Sequence, residues 1–125
     1  MNFPENLKYT KEHEWVLLEG DVATVGVTEF AQRELGDIVY VEIETVGQSL
    51  NAGDVFGSVE AVKTVSDLYL PVSGKITEVN SGLSGAPESV NQDPYGAGWM
   101  IKMQVSNPAD VAALLDAKAY EALVG

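Results

Sequence analysis

Lys63 is the one side chain in this sequence whose placement invites covalent chemistry. It stands between two strand-like runs in the stretch GDVFGSVEAVKTVSDLYLPVSGKITEVN, residues 53–80, and is the only basic residue between Arg33 and Lys75. Before it, Val55, Val59 and Ala61 alternate with Phe56, Ser58 and Glu60; after it, Leu68, Leu70 and Val72 alternate with Asp67, Tyr69 and Pro71. A period of two favours half-buried strands over a helix. The lysine therefore falls at a hairpin tip, and Pro71 with Gly74 closes the second arm. A primary amine among carboxylates is well placed to be modified and poorly placed to bind an anion. Against this, most exposed lysines are solvated charges with no task, and Val62-Lys63-Thr64-Val65 lacks the Gly, Asn or Pro that a tight hairpin favours.

Other chemistries find less support. His13 is the sole histidine, so neither a histidine zinc cluster nor a Ser-His-Asp triad can be assembled around more than that residue. Between two glutamates it reads as a surface or strand-edge residue. Gly74-Lys75 fails as a phosphate loop because Tyr69 stands where the first glycine belongs. Trp15 and Trp99 read as core, and Gly96 and Gly98 as loop. With no cysteine, disulfides, thiolate metal sites and cysteine nucleophiles are all excluded.

The elements that must position Lys63 can be read in chain order. Leu7 to Tyr9 is a short strand, Trp15 to Leu18 a second, Glu19-Gly20-Asp21 a turn, and Val22 to Val27 the returning strand. Thr28 is the N-cap of a short helix with Glu29 in its first turn, ending near Gly36. Ile38 to Ile43 is β-branched and strand-like, and Gly47 and residues 51–54 punctuate the approach to the hairpin. Lys75 to Val79 alternates as a strand. Residues 80–93 form a long loop with room for a helical turn, and Trp99 to Val105 is the last strand. Asn107-Pro108-Ala109-Asp110 opens one or two C-terminal helices. Many short strands with short helices at the edges give a mainly β sandwich or barrel.

The chain of 125 residues with 46% apolar content suits one domain, residues 1–125, with one sizeable core. Nineteen acids against seven bases give a formal charge of -12, which repels phosphate backbones and anionic bilayers. Neither nucleic acid nor a membrane is an expected partner. No apolar run approaches a membrane span, and the first residues lack a basic region followed by an apolar one. A bacterial cytoplasm is the expected location, with a processed mitochondrial form as the alternative.

Glu60-Ala61-Val62-Lys63, with Ser66-Asp67, Pro71, Gly74 and Asn80, resembles the lipoyl-attachment hairpin of glycine cleavage system H proteins. The resemblance runs further. His13-Glu14-Trp15-Val16 is similar to the family's HEW segment, and Gly26-Val27-Thr28, Ala31-Gln32 and Leu35-Gly36-Asp37 to the segment after it. Asn91, Pro94-Tyr95 and Gly98-Trp99-Met100-Ile101-Lys102 are similar to its late strand. The blocks fall in family order over nearly the whole chain.

The resemblance implies a barrel-sandwich hybrid fold of the lipoyl/biotinyl type and a non-catalytic carrier. Lipoate would be amide-linked to Lys63, with Glu60 and Gly74 at positions the family uses at the tip, one for charge and one for a tight backbone turn. The arm would take the aminomethyl group of glycine from the pyridoxal-phosphate glycine decarboxylase (P protein). It would pass it to the tetrahydrofolate-dependent aminomethyltransferase (T protein), and dihydrolipoamide dehydrogenase (L protein) would reoxidise the dithiol. A lipoyl or octanoyl transferase, or a lipoate ligase, would attach the group. The loaded arm is prone to hydrolysis, and the family folds it into a cleft near the HEW segment. Glu14 and Asp67 match positions that could hold its ammonium. Glu12 and Glu34 depart from the smaller or neutral residues of the family pattern there.

Three other carriers come close. A biotin carrier usually sets its lysine between methionines, whereas Val62 and Thr64 flank Lys63. Lipoyl domains of 2-oxo acid dehydrogenases are shorter and lack the HEW and GWM blocks. A relay protein that donates its lipoyl group to other carriers is the alternative function. An independent enzyme lacks a nucleophile-base pair.

Overall fold

The period-two segments become nine strands in two antiparallel sheets. In chain order the computed structural model, which describes residues 1–125, contains β1 (Lys8–Tyr9), β2 (Glu14–Glu19), β3 (Val22–Val27), α1 (Glu29–Leu35), β4 (Ile38–Glu42), β5 (Ser49–Leu50) and β6 (Val55–Ala61). There follow β7 (Val65–Tyr69), β8 (Gly74–Val79), α2 (Gly82–Gly85), α3 (Ser89–Gln92), β9 (Ile101–Val105), α4 (Ala109–Ala112) and α5 (Ala117–Val124). The larger sheet runs β1-β2-β3-β9-β8-β5 and the smaller β4-β6-β7. Both contribute to one core: Val16, Val25, Ile76 and Met103 from the first meet Phe56, Val59 and Leu68 from the second. No helix is long and apolar enough to cross a membrane.

The lysine hairpin is β6-β7, paired from Val55↔Tyr69 to Glu60↔Val65. Its second arm buries Leu68, Leu70 and Val72 as the alternation implies. Its first arm departs from the expected phase. Val55 is 46% exposed and Phe56 only 1%, because the ladder is irregular between Val55 and Gly57. That irregularity moves Phe56 to the face of Val59 and Ala61. Burying a phenylalanine is worth roughly 1.5–3 kcal/mol, more than the ~1 kcal/mol of one ladder hydrogen bond, so the bulge is the cheaper arrangement.

Helix α1 forms where its caps specify. Thr28 Oγ1 accepts from the Ala31 N–H, Glu29 lies in the first turn, and Gly36 ends the helix at φ 80° with its N–H on the Gln32 carbonyl. The segment 80–93 contains two single-turn helices, α2 and α3. The C-terminal region has α4, whose Ala109 N–H is held by Asn107 Oδ1, and α5, capped by Asp116. Helix α5 covers a second, smaller cluster of Leu7, Tyr9, Trp15, Ala117 and Tyr120.

Candidate functional site

Lys63 sits exposed at the hairpin tip, in the loop between Ala61 and Val65. Two backbone bonds shape that loop. The Ala61 N–H donates to the Thr64 carbonyl at 2.7 Å, and the Val62 N–H to the Asp37 carbonyl at 3.0 Å. The second is not local: the chain just after α1 braces a turn whose own residues have little turn preference. The lysine stem lies over Gly36, where a Cβ would stand 3.4 Å from Lys63 Cε and 3.8 Å from Nζ. The positive φ favours glycine there, while the lysine stem lies at ordinary contact distance. Asn91 secures the same corner. Its Nδ2 donates to the Gly36 carbonyl and to Gln32 Oε1, and its Oδ1 accepts from the Ile38 N–H.

At the foot of the hairpin is a cleft of about 140 Å³ lined by Glu12, His13, Glu14, Val27, Ala31, Glu34, Leu35, Ser66, Asp67 and Leu68. Three elements bring four carboxyl groups together: the Thr10–Glu14 turn, α1 and β7. Glu14 is 2% exposed, accepts from Thr10 Oγ1 at 2.7 Å, and donates its own N–H back to that oxygen. Burial pushes its carboxyl from 4.5 up to about 7, while the Thr10 and Tyr69 hydrogen bonds oppose the rise and Glu12 adds to it. Burial lowers the His13 imidazole against the upward pull of Glu12 and Glu34. No group of His, Asp and Glu is arranged to hold a metal ion.

The residues singled out from sequence divide between this region and the far sheet. Glu12, Glu14 and Asp67 share the cleft, and Glu34 joins them. Glu60 is exposed on β6 between Tyr40 and Val65, three residues before the lysine. Gly74 lies in β8 opposite Leu50 and Val105, in the other sheet. It has no positive φ, so it does not serve a tight turn; a Cβ would collide with the Gln104 carbonyl and Met103 Cε. Its glycine answers to close strand packing.

Sequence reasoning missed the apolar half of the cleft. Ala31, Glu34 and Leu35 fall three and four residues apart on one face of α1, a spacing visible once Thr28 is taken as the cap. It also dismissed His13, which lines the cleft at φ 72°, the one non-glycine residue with positive φ. Nothing local marks that residue, because its side-chain partner, Tyr120, lies 107 positions away.

A two-sheet domain that lifts a lysine on one hairpin has the architecture of lipoyl-type barrel-sandwich domains. Residues 7–125 match the family model described as Glycine cleavage H-protein. The chain is 60% identical over 124 residues to the glycine cleavage system H protein of Bacteroides fragilis, covering 99% of this chain and 98% of that one. It is 59% identical over 127 residues to that of Chlorobium luteolum, covering 100% and 99%. The crystal structure of a glycine cleavage system H protein from Mycobacterium marinum superimposes with a TM-score of 0.87 at 40% identity, covering 96% of this chain and 97% of that one. This chain belongs to the glycine cleavage H-protein family, the lipoyl carriers of the glycine cleavage system.

Proposed function

We propose that this protein carries lipoate on Lys63 and shelters a cationic one-carbon cargo in the acid-lined cleft. The observation that carries the reading is the convergence of Glu12, Glu14, Glu34 and Asp67 in one cleft below an exposed tip lysine. When bound, the lipoyl group would supply a disulfide that opens as it takes the aminomethyl group of glycine from glycine decarboxylase (P protein), one sulfur carrying the group and the other left as a thiol; release of the group at the aminomethyltransferase (T protein) would leave a dithiol that dihydrolipoamide dehydrogenase (L protein) returns to the disulfide.

The residues present fit that group. Lys63 is exposed, its stem rests against Gly36, and β7 leads from the tip to the cleft. Four residues separate Lys63 from Asp67, roughly 13 Å along a strand. A lysine acylated with a dithiolane acid has about twelve bonds in line and spans roughly 14 Å at three bonds per residue length.

Each cleft residue then has a defined task. Glu14 and Asp67 accept charge-assisted hydrogen bonds from the cargo's ammonium, while Ala31, Leu35 and Leu68 exclude water from the adjoining carbon. Glu12 and Glu34 deepen the negative potential. The chain itself has no catalytic role; its scaffold fixes the attachment point while partner enzymes perform the bond changes. Exposed Val62 and Val65, 75% and 65% accessible, flank Lys63 and give a lipoyl transferase or lipoate ligase an apolar grip on the tip, with Glu60 beside them. The bacterial relatives support a cytoplasmic location.

Intact mass after expression with added lipoate, for the natural chain and for Lys63→Arg, tests the attachment. The natural chain gains one lipoyl group and the variant gains none. The lipoylated protein then supports exchange of labelled bicarbonate into glycine by purified decarboxylase. Modification of the variant, or a lipoylated chain inert in the exchange, overturns the reading.

A further inference from the structure

The wall of the cleft is tied to the C-terminal helix by one hydroxyl. Tyr120 Oη, fully buried on α5, lies 2.8 Å from His13 Nδ1 and 2.8 Å from Thr28 Oγ1. His13 sits between Glu12 and Glu14 in one wall; Thr28 caps α1, which supplies Ala31, Glu34 and Leu35 to the other. The two backbones already touch through the Thr28 N–H on the His13 carbonyl at 3.1 Å. The tyrosine hydroxyl adds control of the imidazole ring.

Hydrogen counting fixes the direction of the relay. Thr28 Oγ1 accepts from the Ala31 N–H, so its own hydrogen has one buried neighbour able to receive it, Tyr120 Oη. The tyrosine hydrogen then points to His13 Nδ1, leaving the imidazole neutral with its proton on Nε2. The reverse direction needs a proton on Nδ1 and strands the Thr28 hydroxyl hydrogen at a site with no solvent access. Charging His13 reverses both bonds, so the relay resists it. The charged groups that share the cleft with the ring, Glu12, Glu14, Glu34 and Asp67, all favour the opposite outcome.

We propose that Tyr120 is a positioning residue for the cleft: it holds the His13 imidazole in one neutral tautomer and one orientation, so the carboxylates meet an incoming cation and not an internal one. A protonated His13 would be a resident counter-ion to Glu12, Glu14 and Glu34, competing with the cargo's ammonium. The inference rests on the sheltering cleft proposed above.

Tyr120→Phe removes the hydroxyl and keeps the ring, which stacks on Tyr9 at 4.8 Å and meets Phe3 edge-on at 5.3 Å. Two readouts apply. Nitrogen-15 NMR of the natural protein without cargo should show His13 near pH 7 as a neutral ring protonated at Nε2. In Tyr120→Phe it should show mixed tautomers. Formaldehyde release from the aminomethyl-loaded lipoyl protein should rise about fivefold to tenfold in the variant, the scale of one net hydrogen bond. A proton on Nδ1 or an imidazolium in the natural protein overturns the inference even if the variant fails to fold. So does an unchanged release rate in Tyr120→Phe when Glu14→Ala raises it. If neither variant alters release, the sheltering cleft itself is wrong.

Discussion

Glu12 and Glu14 stand between two depressions that differ in size and in charge. On one side is the acid-lined cleft of about 140 Å³ against α1 and Asp67. On the other is a larger hollow of about 350 Å³, walled by Tyr9, Tyr69, Leu70, Pro71, Leu114 and Leu115 with Lys11 among its lining residues. Volume alone would choose the larger as a binding site. Position along β7 chooses the smaller. Ser66 to Leu68 line the cleft, while Tyr69 to Pro71 line the hollow, six to eight residues past Lys63 and roughly 20 Å or more along the strand. A tethered group is confined by its leash, so the cavity that matters is the one it can reach. Charge supports the same choice, since the cleft adds Glu34 and Asp67 to the shared acids.

The contrast can be broken most decisively by filling each space in turn. Ser66→Trp, which obstructs the small cleft, should raise formaldehyde release from the loaded protein at least as strongly as any acid substitution. Ala113→Trp, beside the larger hollow, should leave release unchanged; an equal effect from both would erase the distinction. Glu14→Ala should raise release roughly ten- to hundredfold, the scale of 1.5–3 kcal/mol for a hydrogen bond to a charged group, while Leu114→Ala should lower melting temperature only.

Protonation sharpens the comparison further. Because the Glu14 carboxyl is pushed up to about 7, its anion grows in as pH climbs through that value. The ratio of release from Glu14→Gln to release from the natural protein should therefore widen between pH 6 and pH 8, and a constant ratio would detach Glu14 from the cation. The same group has a stability consequence of defined sign. The folded chain holds this proton more tightly than the unfolded one, whose carboxyl titrates near 4.5. The stabilisation is complete below 4.5 and drains away as pH rises through about 7. Melting curves of Glu14→Gln should lack that slope. The smallest effect expected is at the corner under the lysine. Asn91→Ala, which removes three hydrogen bonds around Gly36, should cost about 1–3 kcal/mol of stability in urea unfolding, with modest loss of lipoylation rate.

Local chemistry made much of the fold legible. Thr28 and Gly36 bracket α1 as their types dictate, and the alternation of Leu68, Leu70 and Val72 gives β7 and its continuation the right inward face. The phase of β6 was not legible, since a bulge between Val55 and Gly57 responds to the place available for Phe56 in the assembled core. Nor was β5, two residues long and defined only by its partner β8. In the site, Glu12, Glu14 and Asp67 were grouped through family resemblance and not through spacing, because they come from segments more than fifty positions apart. Gly74 was placed at the tip by the same resemblance and is explained by strand packing against Gln104. His13 was set aside as an edge residue; its role depends on a tyrosine near the other end of the chain.

The bond from Val62 to the Asp37 carbonyl means that the lysine bend is not a property of its own peptide. Cut free, residues 55–69 would lose that brace and keep only the Ala61–Thr64 bond and their own ladder to hold the curve. An enzyme that reads the shape of the bend would thus inspect, in one contact, whether α1 and the chain after it have been laid against the hairpin.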